Sequence, residues 1–456
     1  MSISKADKYS LVEGGIVKKL FVVSAPLIMT QVFQMAYNLT DMFWLGRYSS
    51  DAVAASGTVG LFLWMSMAFL MFGSMGANIG VSQNLGKRDR VSAKLYAQNS
   101  ITIGAIVGIL LTIVVFIFHE PFIRFFGIQE ANVEQYAKDY LAIVSLSFPM
   151  AFVASAITGV FNGAGNTKVS LIIGGVGFTI NMILDPILIF TAGMGVAGAG
   201  LATVIAHSFS VVLAVILLKR HRERPFEQFN FKVRLDLAVV KQIFKWVSPI
   251  SIESFLFTFL TMITSLLIVY FGANAMAAGR VSSQIESLTW LIAGGFASAL
   301  TSFTGQNYGA QKWERISKGF KVSSFIMAGW GLFVTLTLFF AGDFLIGIFI
   351  PDSAEIVAIG VENLKILAVI QIPACLEGVA AGVFRGQGKT IPPSITSVVT
   401  NTLRVVLAYV LVSFTDLGLT GVWIGIAAGA GVRGAWIYIW YLAYSRRVPK
   451  LDKVTV

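Results

Sequence analysis

Charge is what this sequence has least of. Only 12% of its 456 residues are Asp, Glu, Lys or Arg, against roughly 25% in a soluble globular domain, so a water-soluble body with a charged shell is excluded. Thiols are nearly absent too. The single cysteine, Cys375, falls in an apolar stretch, so no intrachain disulfide and no CxxC redox or zinc pair can form. Histidine stops at His119, His207 and His221, none of them in an HExxH arrangement, and there is no Walker A or GxSxG sequence. One GxGxxG match, Gly193, Gly195 and Gly198, has no βαβ unit around it. It reads as glycine for a short turn and close helix packing. Enzyme chemistry and a resident cofactor are therefore not expected. The first sixteen residues, with Asp7 and Glu13, are polar and unlike a cleaved signal peptide.

Long apolar runs fill the space that charge leaves. Hydrophobic residues make up 56% of the chain, and a bilayer span needs about 20 of them in succession. Twelve stretches qualify: 17–44, 52–82, 92–118, 137–161, 168–192 and 195–218, then 238–271, 276–305, 319–342, 357–384, 393–415 and 419–444. They leave no room for a separate soluble domain. Lys87, Arg88, Arg90, the 219–245 region, Lys312 to Lys321 and Arg446 to Lys453 all fall on the side of the termini, whereas the opposite loops hold Arg47, Arg124 and Lys138. Basic loops stay cytoplasmic, so both termini are expected in the cytoplasm and the chain in the plasma (inner) membrane. The net charge of +11 is spread along these loops and calls for no nucleic-acid partner. Lipid and small molecules are the expected partners, with no obligate protein partner evident.

The chain also repeats itself at an offset of 223. Pro26/Pro249, Ala52/Ala275, Ala54/Ala277, Ala55/Ala278, Gln83/Gln306, Asn84/Asn307, Gly86/Gly309, Phe161/Phe384, Gly163/Gly386, Gly165/Gly388, Thr167/Thr390 and Gly198/Gly421 are identical pairs in one register. The expected fold is an all-α integral membrane protein with twelve transmembrane helices in two six-helix lobes. Six spans per copy put both copies in the same sense, so the pseudo-twofold axis should run along the membrane normal. The N-lobe is expected at 1–218, a basic cytoplasmic linker at 219–237 and the C-lobe at 238–456. The linker, KRHRERPFEQFNFKVRLD, is long enough for a hinge or a surface helix. A duplicated membrane unit is the usual build of a secondary transporter.

Ionisable groups inside spans are costly and mark ion or substrate pathways. Counting about 1.5 Å per residue from the cytoplasmic ends, Asp41 lies about 33 Å along span one and Asp185 about 25 Å along span five. Thr203 lies about 12 Å in from the outer end of span six, at a similar depth. Tyr37 and Asp41 are i,i+4, Asn38 and Asp41 are i,i+3, and Asn181 and Asp185 are i,i+4, so each pair shares a helix face. A cation site of Asp41, Asp185, Asn181, Thr203, Tyr37 and Asn38 follows, set against a plainer reading in which Asp41 caps the outer end of span one. At offset 223 the same positions read Thr264 for Asp41, Arg404 for Asn181, Ala408 for Asp185 and Ile426 for Thr203. Packing residues repeat while this cluster does not, as a site peculiar to one lobe requires. Two nearby carboxylates in a low dielectric cannot both stay charged without a partner, and H⁺ or Na⁺ can neutralise the pair. With only two acids H⁺ is favoured; Na⁺ would take Asp41, Asp185, Asn181 and Thr203. Pro26 and Pro186 free backbone carbonyls in the two acid-bearing helices and are the candidate bending points.

In the second half Glu253, Glu286, Glu377, Arg404 and Arg433 lie within spans, either as a structural ion-pair network or as a substrate contact. Met67, Met71 and Met75 form a stripe that is either packing or an adaptable pocket lining. Met35, Met67, Met71, Glu253, Glu286 and Arg404 are accordingly the candidate substrate-cavity residues.

Over its full length the chain resembles the multidrug and toxic compound extrusion (MATE) family. Span one reads APLIMTQVFQMAYNLTDMFWLG, similar to the family's Pro-to-Asp first helix. QNLGKRD and QNYGAQK look like its paired loops, and FNGAGNTK and FRGQGKT like its Gly-rich turns. The resemblance is strongest to the DinF-like branch, whose N-lobe cation network corresponds here to Asp41, Asn181, Asp185 and Thr203. It implies a V-shaped antiporter that exports lipophilic, often cationic compounds against inward H⁺ or Na⁺ movement. Glu253 and Glu377 fall only near the acids of other branches, so that C-lobe site is not carried over. The alternative is a flippase for a lipid-linked saccharide or other lipid, which calls for a strongly cationic cavity. Here only Arg404, Arg433 and Arg280 are available to build one.

Overall fold

The structure, a computed structural model, describes residues 9–220, 224–226, 228–231, 235–351 and 353–447. Asp7, His221, Lys450, Lys453 and linker positions 221–223, 227 and 232–234 lie outside the described residues. All regular structure among those described is helical. A helix closes its peptide hydrogen bonds within itself, which is what hydrocarbon demands. The first copy supplies α1 (Ile16–Tyr48), α2 (Ser50–Gly86), α3 (Arg90–Arg124), α4 (Ala131–Ser145), α5 (Phe148–Gly163), α6 (Thr167–Pro186) and α7 (Gly195–Arg220). The second supplies α8 (Leu237–Val269), α9 (Ala273–Gly309), α10 (Trp313–Phe340), α11 (Gly342–Phe349), α12 (Ala354–Ala368), α13 (Gln371–Gly386), α14 (Ile391–Phe414) and α15 (Gly418–Arg447).

Among the described residues nine helices are long and apolar enough to cross a bilayer, and the bent pairs α4/α5 and α12/α13 each pass as one broken span. α9 equals α2 at 37 residues, but its polar run from Arg280 to Ser287 makes it less apolar; with it the spans number twelve. The breaks correct the expectation of continuous helices over 137–161 and 357–384. The pairs bend by 48° and 50°, at residues 223 apart. Pro149 and Pro373 stand in the first turns beyond the breaks, where a missing N–H and a fixed φ interrupt the incoming helix. The exposed carbonyls are satisfied from a neighbouring helix: Thr112 Oγ1 donates to the Ser145 carbonyl at 2.8 Å, and Thr335 Oγ1 to the Ala368 carbonyl at 2.8 Å. Donors and acceptors are repeat mates.

The Gly and Asn pairs also repeat for a physical reason. Asn84 Nδ2 donates to the Gly80 carbonyl (2.8 Å) and Asn307 Nδ2 to the Phe303 carbonyl (2.7 Å), each in the last turns of a 37-residue helix. Gly165 and Gly388 take φ of +84° and +73°, the left-handed turn that closes a helix and suits glycine. In the GxGxxG stretch Gly193 and Gly195 likewise have positive φ. A Cβ on Gly198 would meet the Leu188 carbonyl at 2.7 Å, so these glycines serve the turn and the packing. Gly104 and Gly108 let α3 approach α5, and Gly425 and Gly429 let α15 approach α14.

By packing, the chain forms two compact units. One holds Phe21–Ser251 with the described residues up to Gly14, the other Gly15–Leu20 and Ile252 onward. Division by packing thus differs from division by sequence repeat at 219–237. Val239, Ile243, Trp246 and Val247 of α8 bury against Ile79 and Ile103 of the first unit, and Ser251 Oγ donates to the Ala68 carbonyl at 2.7 Å.

The linker's described residues form no surface helix. Phe226 and Phe229 are buried against Val81, Ala97, Val169 and Leu218, and Gln98 Nε2 donates to the Asn230 carbonyl. Asp236 caps α8 by accepting from the Ala238 and Val239 amides. Three phenylalanines in a charged stretch give it an apolar side to dock.

Thr112→Val and Thr335→Val each leave a carbonyl without a donor in a dry interior, a loss of about 1–3 kcal/mol. Thermal unfolding in detergent should show both less stable than the wild type, with Thr112→Ser and Thr335→Ser close to it.

Candidate functional site

Four helices of the first unit, α1, α4, α6 and α7, converge on one buried polar cluster. Tyr37 hydroxyl on α1 donates to Thr203 Oγ1 on α7 at 3.1 Å, and Thr203 in turn donates to the Ala199 carbonyl at 3.2 Å. On α6, Asn181 Nδ2 donates to Asp185 Oδ1 at 3.2 Å, one helical turn away. The Asp41 carboxyl, from α1, faces both the Asp185 carboxyl and the Asn181 amide. Asn181 and Asp185 are 0% exposed, which removes water as a counterweight to their polarity. Asp41 Oδ1, Asp185 Oδ2 and Asn181 Oδ1 are buried acceptors with no hydrogen bond. Three unpaired oxygens in one buried cluster, two of them from carboxylates, form a hard-oxygen donor set of the kind that takes a proton or an alkali cation.

Five of the six sequence candidates, Tyr37, Asp41, Asn181, Asp185 and Thr203, thus lie together. Asn38 is not among them: it is exposed. Asp41 sits seven residues before the end of α1 and is no helix cap. Two rings escaped the sequence reading. Tyr140 of α4 is 4% exposed and within electrostatic reach of both carboxylates, and His207 of α7 stacks on Tyr37 with centroids 6.3 Å apart. The only available signal for His207 was its i,i+4 spacing from Thr203; Tyr140 belongs to a span with no polar motif to draw attention to it.

Each acid-bearing helix carries one proline. Pro26 lies inside α1, with Thr30 Oγ1 donating to its carbonyl at 2.9 Å and Thr167 Oγ1, from the start of α6, donating to the Val23 carbonyl at 3.0 Å. Pro186 ends α6, and the chain continues as a π-turn over Ile187–Thr191. A π-turn of this kind often marks a functional position in a helix.

The second unit answers the question about its charges with two closed pairs. Arg385 Nη2 contacts Glu253 Oε2 at 3.4 Å, with Ser394 Oγ donating to the same carboxylate at 2.8 Å. Arg433 Nε meets Glu377 Oε2 at 2.7 Å. Ala408, the repeat mate of Asp185, is fully buried against Gly425. Of the methionines, Met71 and Met75 pack in the apolar cluster around Trp246, which is the packing reading of the stripe. Met67 is exposed and Met35 half-buried.

The family model described as MatE matches residues 26–187 and again 249–410, two copies separated by the same 223 residues as the sequence repeat. The chain belongs to the MatE family. It is similar to the probable multidrug resistance protein NorM of Thermotoga maritima, 28% identical and covering 93% of this chain and 92% of that protein. It is also similar to the probable multidrug resistance protein YoeA of Bacillus subtilis, 24% identical over 92% of each chain. Among solved structures, an outward-facing multidrug resistance MATE family transporter of the MOP superfamily superposes with a TM-score of 0.91 at 22% identity. That match covers 99% of this chain and 100% of the other. A MATE in a bent conformation gives 0.89 at 22% identity over the whole of both chains. The MatE fold, duplicated and multi-pass, is therefore the fold of this chain.

Tyr37→Phe and Thr203→Val remove the two ends of one partly buried hydrogen bond. A double-mutant cycle on thermal stability should return a coupling of about 1 kcal/mol; strictly additive losses would mean that the two groups do not act through each other.

Proposed function

We propose that this MatE protein is a cation-coupled antiporter, H⁺ favoured over Na⁺, that exports lipophilic and often cationic compounds by alternating access. It would act in the plasma membrane with both termini cytoplasmic and lobes at 1–218 and 238–456. The observation that carries this reading is the meeting of Asp41 and Asp185 among unpaired buried oxygens. Two like charges there repel in a medium that screens them poorly, so the pair gains a cation or pays a steep electrostatic cost. A proton arriving on Asp41 or Asp185, or Na⁺ held by Asp41, Asp185, Asn181 and Thr203, removes that cost. No cofactor is needed.

Coupling then follows from linkage. A bound cation favours the arrangement of α1 and α6 in which the carboxylates sit together, and its loss favours one that separates them. A cationic substrate competes electrostatically for the same charge. Differential affinity of the two ligands for the two states is all that exchange requires. Pro26 and the Pro186 π-turn are the places where α1 and α6 change shape at least expense in lost hydrogen bonds. Asp41, Asn181, Asp185 and Thr203 together support the DinF-like branch of the family.

The flippase alternative is not favoured. Its cationic cavity would need Arg280, Arg404 and Arg433, but Arg433 is bound to Glu377 and Arg280 is exposed. Relatives named as multidrug resistance proteins support export of small compounds.

In liposomes bearing the purified protein, a fluorescent lipophilic cation should move under an imposed pH gradient. A Na⁺ gradient should drive it only if Na⁺ is the coupling ion. Asp41→Asn should abolish the gradient-driven component. Full gradient-driven transport in that variant would sink the coupling mechanism.

A further inference from the structure

The charges of the second unit are not all spent. Arg404 of α14 is 9% exposed; its Nη2 donates to Thr261 Oγ1 at 3.0 Å, its guanidinium lies over the Phe257 ring at 5.5 Å, and its Nε has no partner. Glu286 of α9 accepts from Trp290 Nε1 at 3.2 Å and lies beside the Gln371 side chain. Arg404 and Glu286 act on each other electrostatically, yet no ion pair joins them, although Arg385 with Glu253 and Arg433 with Glu377 have both closed. A buried guanidinium and a half-buried carboxylate held near but apart are costly unless something bridges them.

The site is built rather than incidental. Gly429 of α15 lies where a Cβ would come within 2.6 Å of Arg404 Cβ, so the helices close in behind the guanidinium stem. Arg433 lies over Trp290 at 5.4 Å, holding the indole that donates to Glu286. None of these charges belongs to the shared scaffold. The repeat mates of Glu286, Glu377, Arg404 and Arg433 are Leu63, Ala154, Asn181 and Ser210.

We propose that Arg404 and Glu286 form a binding site for zwitterionic amphiphiles, compounds with a carboxylate or phosphate and an ammonium group on an aromatic or apolar body. The anion takes the planar fork of Arg404 and the ammonium takes Glu286. Phe257 and Trp290 supply apolar faces. A simple cation leaves Arg404 uncompensated and a simple anion faces Glu286, so the site selects for both charges on one molecule. This deepens the export reading by naming a substrate class, and it rests on that reading only for the claim that the bound compound is carried.

The test is equilibrium binding to the full-length protein in non-ionic detergent, which needs no gradient. Nε-dansyl-lysine carries both charges; its methyl ester keeps only the ammonium. Wild type should prefer the zwitterion by about tenfold or more, the size of one charge-assisted hydrogen bond pair. Arg404→Gln should bring that ratio to about one, and Glu286→Gln should weaken both probes. Displacement by dihexanoylphosphatidylethanolamine supports the same site filled by a lipid headgroup, and failure to displace supports a soluble compound. No preference in wild type, or a ratio unchanged in a monodisperse Arg404→Gln protein, overturns the proposal. So does an unchanged ester affinity in Glu286→Gln, should Arg404→Gln not fold. Gradient-independent transport with the preference intact would instead count against the coupling mechanism alone.

Discussion

Every peptide group that crosses hydrocarbon must find its hydrogen bond inside the protein, and the rest of this structure depends on that requirement. It makes all regular structure among the described residues helical and decides what happens where a helix fails. At the breaks after Ser145 and Ala368 a threonine from the preceding span supplies the donor that water would supply elsewhere. At the end of α6 the chain avoids an open end by widening into a π-turn. The irregularities of the helices are thus placed where neighbouring side chains or altered backbone pairing meet the same demand.

Side chains obey the same requirement, and the two units meet it in opposite ways. In the second unit, Glu253 and Glu377 are answered by arginines. In the first, Asp41 and Asp185 are answered by no cation among the described residues and instead face each other among amide and hydroxyl groups. A scaffold would have no reason to keep such an arrangement, because replacing buried charge by apolar side chains is often neutral or stabilising. The repeat provides that comparison internally: Thr264 and Ala408 occupy the mates of the two acids, and the helices there still pack.

Much of this was legible in the sequence because both of its strongest signals are periodic. The 223-residue offset and the length of the apolar runs gave the duplication and the span count, and i,i+4 spacing placed Asn181 with Asp185. What escaped was local or three-dimensional. Helix bends leave the hydropathy of a span almost unchanged, so the interruptions within 137–161 and 357–384 were invisible, although Thr112 and Thr335 repeat. Asn38 shared a nominal face with Asp41, yet three residues of helix turn it far enough to be exposed. Tyr140 and His207 reach the acids from other helices, and linear spacing carries no information about such neighbours. The linker read as a hinge or a surface helix because charge hides three phenylalanines that dock.

The central claim is that the Asp41 and Asp185 pair holds the exchangeable cation and gives it up when substrate binds. It is tested most directly by adding a lipophilic cation to the purified protein in weakly buffered detergent solution and following proton release with a pH indicator. The account predicts release approaching one proton per protein, saturating with the binding isotherm and absent in Asp41→Asn. Binding without proton release, in a repeat with Na⁺ present and Na⁺ release followed as well, would contradict it.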